Sequence, residues 1–372
     1  MARWSPATYN ENTGAAFDLR RPRCHFDTNC MALGEYPIIK KEWFFIMYRI
    51  KKAAVIGGDL RSIAATGRLR ERGCETRLYG FRSCERTSGE VDSLCCSSRA
   101  ADDGLTAYLS KLGEPPAPNL ASALDGCDAA ILPLPATSDR VHLSMPFSDE
   151  SLTLDELIYT MKRQGIRLVC GGRLDADFAA RCEAEGMTCF DYFAREEFAV
   201  ANAVPTAEGA IAIALDELAV TLSGSEVLVV GFGRIGKLLA MKLAALGARV
   251  TVSARRADDF AWIRALGYDC ADTTRLCDYF SAHAPVVIYN TVPSHILGRS
   301  ELELIPEDTL IVDLASNPGG VDIQAAGALG RRVIWALSLP GKTAPLTAGR
   351  IIADTICDWA GCESCKGDDK KC

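Results

Sequence analysis

A glycine-rich motif in the second half of the chain carries the clearest chemical signal. Gly231, Gly233 and Gly236 are spaced as GxGxxG, directly after the apolar run 227–230 and before an amphipathic stretch. In that context the glycines allow a tight turn, a close approach of backbone to pyrophosphate, and close packing of helix on strand. The N–H groups that begin the helix then receive the phosphates. The motif predicts a dinucleotide site made by Gly231, Phe232, Gly233, Arg234, Ile235 and Gly236.

The residues after the next predicted strand distinguish the two nicotinamide cofactors. An NAD enzyme places Asp or Glu about 20 residues beyond the glycines to bind the ribose 2′-hydroxyl. This chain has Ser253, Arg255 and Arg256 there instead. Guanidinium groups bind a 2′-phosphate bidentately, whereas an acid would repel it. We therefore predict NADP, with NAD as the alternative; the arginines could also be solvated surface charges.

Polar residues also cluster where other predicted strands end, which is where open α/β sheets collect their ligands. We predict further cofactor contacts for Asn290, Thr291, Val292, Pro293 and Asp313. The first glycine turn, at Gly57, lacks the later glycines and carries an acid, so we expect the first domain to hold substrate. Predicted substrate contacts are Asp59, Arg61, Thr137, Arg173 and Thr206, and the catalytic candidates are His295, Glu208 and Lys342. For any one of these residues, a purely turn-forming role is an equal alternative.

Alternating short β-rich runs and amphipathic stretches predict the elements that position these residues. Residues 47–200 are predicted to form a five-stranded parallel doubly wound sheet. Its strands are 53–56, 76–79, 129–132, 167–169 and 188–190, and its helices 61–72, 154–164 and 176–185. Residues 223–340 are predicted to form a second doubly wound sheet. Its strands are 227–230, 249–252, 286–289, 310–314 and 332–336, with a helix over 234–246.

Two further helices are predicted outside these sheets. A connecting helix over 201–222 should begin after Pro205, which is disfavoured inside helices, with Thr206 as its cap. Its apolar face would be Ile211, Leu215, Leu218 and Leu222, at helical spacing. A C-terminal helix within 341–360 should pack back across the first domain.

Composition narrows the function classes. The chain has 372 residues, 48% of them hydrophobic and 24% charged, with a net charge of −7. A folded core is therefore expected, and the broad basic face of a nucleic-acid binder is not. The sequence contains no run of about 20 apolar residues, so no membrane span is predicted. The 16 cysteines are spread out, which favours reduced thiols in a cytosolic protein and no metal site.

The two ends of the chain differ in character from the rest. Residues 1–46 show no periodicity, and Met47 has the context of a start methionine, so we expect the leader to be dispensable; a targeting or regulatory arm is the alternative. The tail 361–372 contains Cys362, Cys365 and Cys372, which are too few ligands for a zinc site, and is expected to be frayed.

Taken together, these motifs resemble the family of dipicolinate synthase A subunits. The resemblance covers roughly residues 48–359, and its most specific parts are 54–61, 202–209, the glycine motif, 290–293, 313–320 and 340–345. It implies a flavodoxin-like domain followed by an NAD(P)-binding Rossmann domain, an architecture shared with D-2-hydroxyacid dehydrogenases. Those enzymes use a His–Glu pair and an Arg, and this chain has no His after His295.

The resemblance implies a particular reaction. A dihydrodipicolinate-type ring, formed from 4-hydroxy-tetrahydrodipicolinate, would be oxidised by NADP+ to pyridine-2,6-dicarboxylate in the cytoplasm of a sporulating mother cell. The expected partners are further copies of the chain, in a homo-oligomer, and a flavoprotein-like B subunit. A dicarboxylate needs cations, which Arg61, Arg173 and Lys342 could supply, and ring-proton loss needs a base, His295 or Glu208. The alternatives are another NAD(P)-dependent 2-hydroxy or 2-oxo acid dehydrogenase, or a non-catalytic dinucleotide sensor.

Overall fold

The computed structural model describes residues 49–81, 109, 112–113 and 115–360. The leader 1–46 and the tail 361–372, with the predictions made for them, lie outside the described residues. Two parallel sheets with helices on their faces account for most of the described chain.

The first sheet has five parallel strands in the order β2-β1-β3-β4-β5, which is the flavodoxin-like order. The strands are β1 Lys52–Ile56, β2 Glu75–Tyr79, β3 Ala129–Ile131, β4 Leu168–Gly171 and β5 Thr188–Asp191. Its helices are α1 Leu60–Glu71, α2 Leu120–Leu124, α3 Leu154–Arg163 and α4 Ala176–Ala184, and the 3₁₀ turn Tyr192–Ala194 follows β5. The predicted five-stranded doubly wound sheet is confirmed.

The second sheet has the strand order β11-β10-β9-β6-β7-β8, all parallel, which is the Rossmann order. Its strands are β6 Glu226–Val230, β7 Arg249–Ala254, β8 Asp269–Asp272, β9 Val287–Asn290, β10 Leu310–Asp313 and β11 Arg332–Trp335. The predicted Rossmann fold is confirmed. The pattern missed β8, because this short edge strand has an aspartate at each end.

Eight helices in the described chain follow the first sheet. They are α5 Glu196–Glu217, α6 Arg234–Ala245, α7 Ala257–Ala265, α8 Leu276–Phe280, α9 Arg299–Leu304, α10 Ile323–Ala328, α11 Leu339–Thr343 and α12 Pro345–Ala360, with a 3₁₀ turn at Thr273–Arg275.

Helix α5 differs from the predicted connecting helix over 201–222. It begins at Glu196 and continues through Pro205, which is buried inside it. Thr206 is not a cap, because its hydroxyl donates to the Asn202 carbonyl one turn back, at 2.8 Å. The predicted apolar face is confirmed in part: Ile211, Leu218 and Leu222 pack in the core cluster of the second sheet. Leu215 does not, since it is 57% exposed, and Leu218 and Leu222 lie beyond the end of the helix. Small side chains face the same core and let α5 lie close to the second sheet: Ala207, Ala210 and Ala214.

Helix α5 is also long and apolar enough to cross a membrane, on length and composition alone. Its alanine face packs in one core cluster with Val227 and Val229 of β6 and with Tyr289 of β9. Core helices of soluble proteins meet the same criteria, so the composition of α5 is weak evidence for a membrane span.

Helix α12 packs against the first sheet rather than the second. Its Ile352 and Ile356 share a core cluster with Val55 and Ile63, and Trp359 stacks on Phe190 with ring centroids 4.0 Å apart. The crossing with α1 requires Gly349, because a Cβ there would lie 2.3 Å from the Arg61 carbonyl oxygen. This packing brings α11, which immediately precedes α12, to the start of α1.

Candidate functional site

The glycine loop between β6 and α6 has the shape that a pyrophosphate requires. Gly231 has φ +100°, and a Cβ there would lie 2.5 Å from Thr291 Oγ1. A Cβ on Gly236 would lie 2.1 Å from the Gly231 carbonyl oxygen, so this glycine lets α6 pack against the loop. A Cβ on Gly233 would meet no described atom within 4 Å. Gly233 therefore faces open space at the N-terminus of α6, as a bound pyrophosphate would need.

The other residues of the motif support the loop. Phe232 is buried in the core of the second sheet and Ile235 packs against that core. Arg234 forms a bidentate ion pair with Glu196, with Nε–Oε1 2.8 Å and Nη2–Oε2 2.6 Å. This pairing lowers the pKa of Glu196 below its usual range. Glu196 begins α5, so the pair ties α5 to the glycine loop.

The three residues predicted to contact the ribose lie in different surroundings. Ser253 is fully buried within β7, where its hydroxyl accepts a hydrogen bond from Thr273 Oγ1 at 3.0 Å. Its side chain is thus engaged inside the second sheet, and its predicted cofactor contact stays a prediction. Arg256 is paired with Asp258, with Nε–Oδ1 2.9 Å. Arg255 is exposed and pairs with no described carboxylate. Arg255 is thus the arginine free to bind a phosphate.

A buried hydrogen-bond network shapes the loops after β9 and β10. Asn290 Nδ2 donates to Asp313 Oδ1 at 2.8 Å, and both side chains are buried. The Asp313 carboxylate also accepts from the N–H groups of Ala315 and Gly320, at 3.1 and 2.9 Å. A Cβ on Gly320 would lie 2.1 Å from Asn290 Nδ2. Asn290 and Asp313 therefore position the backbone of these loops, and their predicted contact with the cofactor stays a prediction.

The next residues of the β9 loop face the glycine loop. Thr291 Oγ1 donates to the Val230 carbonyl at 2.9 Å. A Cβ on Gly231 would lie 2.8 Å from Val292 Cγ2, so Val292 also lies against the loop. Pro293 and His295 are exposed. The imidazole of His295 has no hydrogen-bond or ion-pair partner within the described chain.

Two loops of the first sheet meet at Arg61. Asp59 caps α1, and its carboxylate accepts from Arg61 Nε at 3.0 Å and from Nη2 at 2.8 Å. Nη2 also donates to the Leu134 carbonyl after β3, at 2.5 Å. Asp59 is therefore engaged by Arg61, and a direct contact of its carboxylate with substrate would have to break that pairing.

The remaining predicted substrate residues lie on neighbouring loops. Arg173, after β4, has φ +55°, is exposed, and has its guanidinium 5.9 Å from the Phe193 ring centroid. Hydrogen bonds between Gly172 and the β3 loop place Arg173 beside the loop that Arg61 contacts. The Thr137 hydroxyl is used locally, by the N–H of Arg140 and by Asp139.

Glu208 and Lys342 have different surroundings. Glu208 forms an ion pair with Lys242 of α6, at 2.8 Å. Lys242 is nine residues beyond Gly233, which is about 13 Å along the helix, so this pair does not support Glu208 as a base at the glycine loop. Lys342 is exposed on α11 and forms no ion pair with a described residue. Its neighbour Gly341 packs on Arg61: a Cβ there would lie 3.0 Å from Arg61 Nε.

Two family profiles match successive parts of the chain. Residues 111–193 match the N-terminal domain of the dipicolinate synthase A subunit. Residues 199–325 match the NAD-binding domain of D-isomer specific 2-hydroxyacid dehydrogenases. The chain thus carries the dinucleotide-binding domain of an oxidoreductase, which supports a nicotinamide dinucleotide as cofactor and a dehydrogenase-like role.

Relatives match across both domains. The dipicolinate synthase A subunit of Bacillus subtilis (strain 168) is 33% identical over 308 residues, 82% of this chain and 94% of the relative. The crystal structure of the dipicolinate synthase A subunit from Bacillus halodurans has a TM-score of 0.68 at 28% identity, and covers 84% of this chain and 98% of that one. The corresponding crystal structure from Bacillus subtilis has a TM-score of 0.64 at 31% identity, with coverages of 82% and 94%. The chain therefore belongs to the family of dipicolinate synthase A subunits.

Proposed function

We propose that the chain is the A subunit of a dipicolinate synthase, which oxidises a dihydrodipicolinate-type ring, formed from 4-hydroxy-tetrahydrodipicolinate, to pyridine-2,6-dicarboxylate. The observation that carries this proposal is the match to the A subunit of Bacillus subtilis over 94% of its length, through both domains. The D-2-hydroxyacid dehydrogenase profile matches the dinucleotide-binding part of the chain, residues 199–325. The substrate-side domain matches the dipicolinate synthase A profile over residues 111–193, which favours the dicarboxylate.

Each group of residues has a separate task in this proposal. When bound, a nicotinamide dinucleotide would supply the two-electron oxidant for the reaction. Gly231, Gly233 and Gly236 bind the pyrophosphate, and Arg255 selects NADP by binding its 2′-phosphate. The loops that Asn290 and Asp313 hold orient the reactants and exclude water from the reacting carbons. His295 is assigned as acceptor of the ring proton, because its exposed imidazole lies on the β9 loop, whose Thr291 and Val292 face the glycine loop.

The proposal extends to where and with what the chain acts. We assign it to the cytoplasm of a sporulating mother cell, in a homo-oligomeric state and in partnership with a flavoprotein-like B subunit. Co-purification of the full chain with the B subunit tests the partnership. Light scattering of the purified chain measures its molar mass and tests the homo-oligomer.

The reaction itself can be tested with ultraviolet absorbance. The full chain, with and without the B subunit, is mixed with the tetrahydrodipicolinate precursor and NADP+. We expect pyridine-ring absorbance to rise together with reduced nicotinamide, and Gly233→Val to abolish both. Formation of reduced nicotinamide with 2-hydroxy acids but not with the precursor would instead identify a 2-hydroxyacid dehydrogenase.

A further inference from the structure

The Arg61 guanidinium has one engaged edge and one free edge. Nε donates to Asp59, and Nη2 donates to Asp59 and to the Leu134 carbonyl. A guanidinium carries five N–H groups, so these contacts leave the two of Nη1. Nη1 has no hydrogen-bond partner within the described chain, although the Arg61 side chain is only 12% exposed. The side chain is held in one orientation, with its remaining donors available.

The short helix α11 covers one face of this guanidinium. A Cβ on Gly341 would lie 3.0 Å from Arg61 Nε and 3.2 Å from Cζ. On the side of α5, a Cβ on Gly209 would lie 2.8 Å from Thr343 Oγ1. Two glycines therefore let α11 fit between α5 and Arg61, which fixes where α11 lies relative to the first sheet.

Lys342 lies between these two contacts in the chain. It is exposed and unpaired within the described residues, and its Cα is one peptide unit, about 3.8 Å, from that of Gly341. A cation on α11 thus directly follows the glycine that packs on the Arg61 guanidinium. Asp59 already offsets one of these two charges, but it leaves the Nη1 donors unused.

We propose that Arg61 and Lys342 form a two-point clamp for the two carboxylates of a small dicarboxylate, and that Asp59 is a positioning residue for Arg61. This inference rests on the proposed function, and assigns its substrate contacts. The Nη1 donors receive one carboxylate and the Lys342 ammonium receives the other. Asp59 and the Leu134 carbonyl prevent the guanidinium from rotating away, so that less side-chain freedom is lost when the ligand binds.

The clamp makes a prediction about ligand class. A monocarboxylate engages one of the two points, whereas a dicarboxylate engages both. The test is calorimetric titration of the full chain, saturated with NADP+, using pyridine-2,6-dicarboxylate and pyridine-2-carboxylate. We expect the dicarboxylate to bind about tenfold more tightly or better, as one additional charge-assisted contact provides. Lys342→Met should remove that difference, and the exposed control Lys162→Met on α3 should retain it.

The positioning role of Asp59 has its own readout. Asp59→Asn keeps a side-chain oxygen for the cap of α1 but loses the charged fork on Arg61. We expect weaker dicarboxylate binding, by about tenfold, with an unchanged affinity for NADP+. In the double variant with Arg61→Met, the Asp59 substitution should add nothing, since it acts through Arg61.

The outcomes separate the clamp from the proposed function. If the cofactor-loaded chain binds neither pyridine acid, both are overturned. If it binds the dicarboxylate but Arg61→Met and Lys342→Met leave the affinity unchanged, the clamp is wrong and the proposed function stands. Additive effects of Asp59→Asn and Arg61→Met would show that Asp59 does not position Arg61.

Discussion

Asn290 and Asp313 end the neighbouring strands β9 and β10 and are joined by a 2.8 Å hydrogen bond from Asn290 Nδ2 to Asp313 Oδ1. Asp313 is 1% exposed, and no described cation pairs with it. Three N–H donors stabilise this buried carboxylate instead, two of them from the backbone of the following loop. Because these donors come from the loop backbone and from Asn290, the buried Asp313 carboxylate fixes the conformation of the loop beside the glycine motif.

Removing the amide should damage both stability and cofactor binding. Asn290→Ala takes one donor from the buried Asp313 carboxylate, which costs on the order of 1–3 kcal/mol or more for a charged group. We expect a lower free energy of unfolding in denaturant and a weaker affinity for NADP(H). Ser294→Ala, an exposed change on the same loop, is the control and should alter neither.

Two substitutions in the glycine loop should affect different properties, one cofactor binding and the other stability. A Cβ at position 233 meets open space, so Gly233→Val should fold normally and lose cofactor binding, because its side chain occupies the pyrophosphate position. A Cβ at position 236 would press on the Gly231 carbonyl. Gly236→Ala should therefore lower stability by about 1–3 kcal/mol. Thermal unfolding and titration with NADP(H) measure both; parent-like binding by Gly233→Val would show that the dinucleotide binds elsewhere.

Cofactor preference should depend on Arg255 more than on Arg256. Arg255 has no described partner, whereas Arg256 is held by Asp258. We expect Arg255→Ala to reduce the NADP/NAD affinity ratio about tenfold, as loss of one charge-assisted contact predicts. Arg256→Ala should have the smaller effect. Dissociation constants of each variant for NADP and for NAD measure this ratio. An unchanged ratio in Arg255→Ala would show that Arg255 does not contact the 2′-phosphate.

The fold was predictable from local pattern, with instructive failures. The alternation of apolar runs with amphipathic stretches predicted both sheets, because buried parallel strands appear in sequence as nearly continuous apolar runs. Pro205 misled the prediction of α5, since proline disfavours a helix interior and only tertiary packing shows that this one is tolerated. The edge strand β8 lacks a continuous apolar run.

The sequence supplied candidate site residues, but it did not predict the contacts between them. The GxGxxG spacing fixes the glycine loop locally, so its position followed from sequence. The contact between Arg61 and Gly341 joins residues 280 positions apart, and no local pattern encodes it. The Asp59–Arg61 pair left a usable signal, an aspartate two residues before an arginine at a helix start. The burial of Ser253 could not be read from the sequence, because its hydrogen bond to Thr273 joins residues 20 positions apart.

A buried tyrosine in the second sheet should be improved by losing its hydroxyl. Tyr289 is fully buried, and its hydroxyl has no hydrogen-bond partner in the described chain. Burial without a partner raises the pKa of the phenol and costs free energy in the folded state. Tyr289→Phe keeps the ring and removes the unsatisfied group, so we expect stability to rise by about 1 kcal/mol. A lower midpoint of denaturation in Tyr289→Phe would indicate an unseen partner.

Alkaline stability should depend on Tyr79, which ends β2. Burial, together with a 2.6 Å hydrogen bond to Glu150, raises the pKa of Tyr79 to about 12. In the unfolded chain this phenol loses its proton near pH 10. The folded state therefore binds more protons than the unfolded state between about pH 10 and pH 12, and stability falls as the pH rises through that window. Below pH 10, the stabilisation that Tyr79 contributes is fully present.

Tyr79→Phe should be less stable at neutral pH, because the hydrogen bond to Glu150 is lost. The variant should also lose less stability than the parent from pH 10 to pH 12. Urea denaturation at a series of pH values measures both effects, and equal alkaline slopes in parent and variant would contradict the assignment.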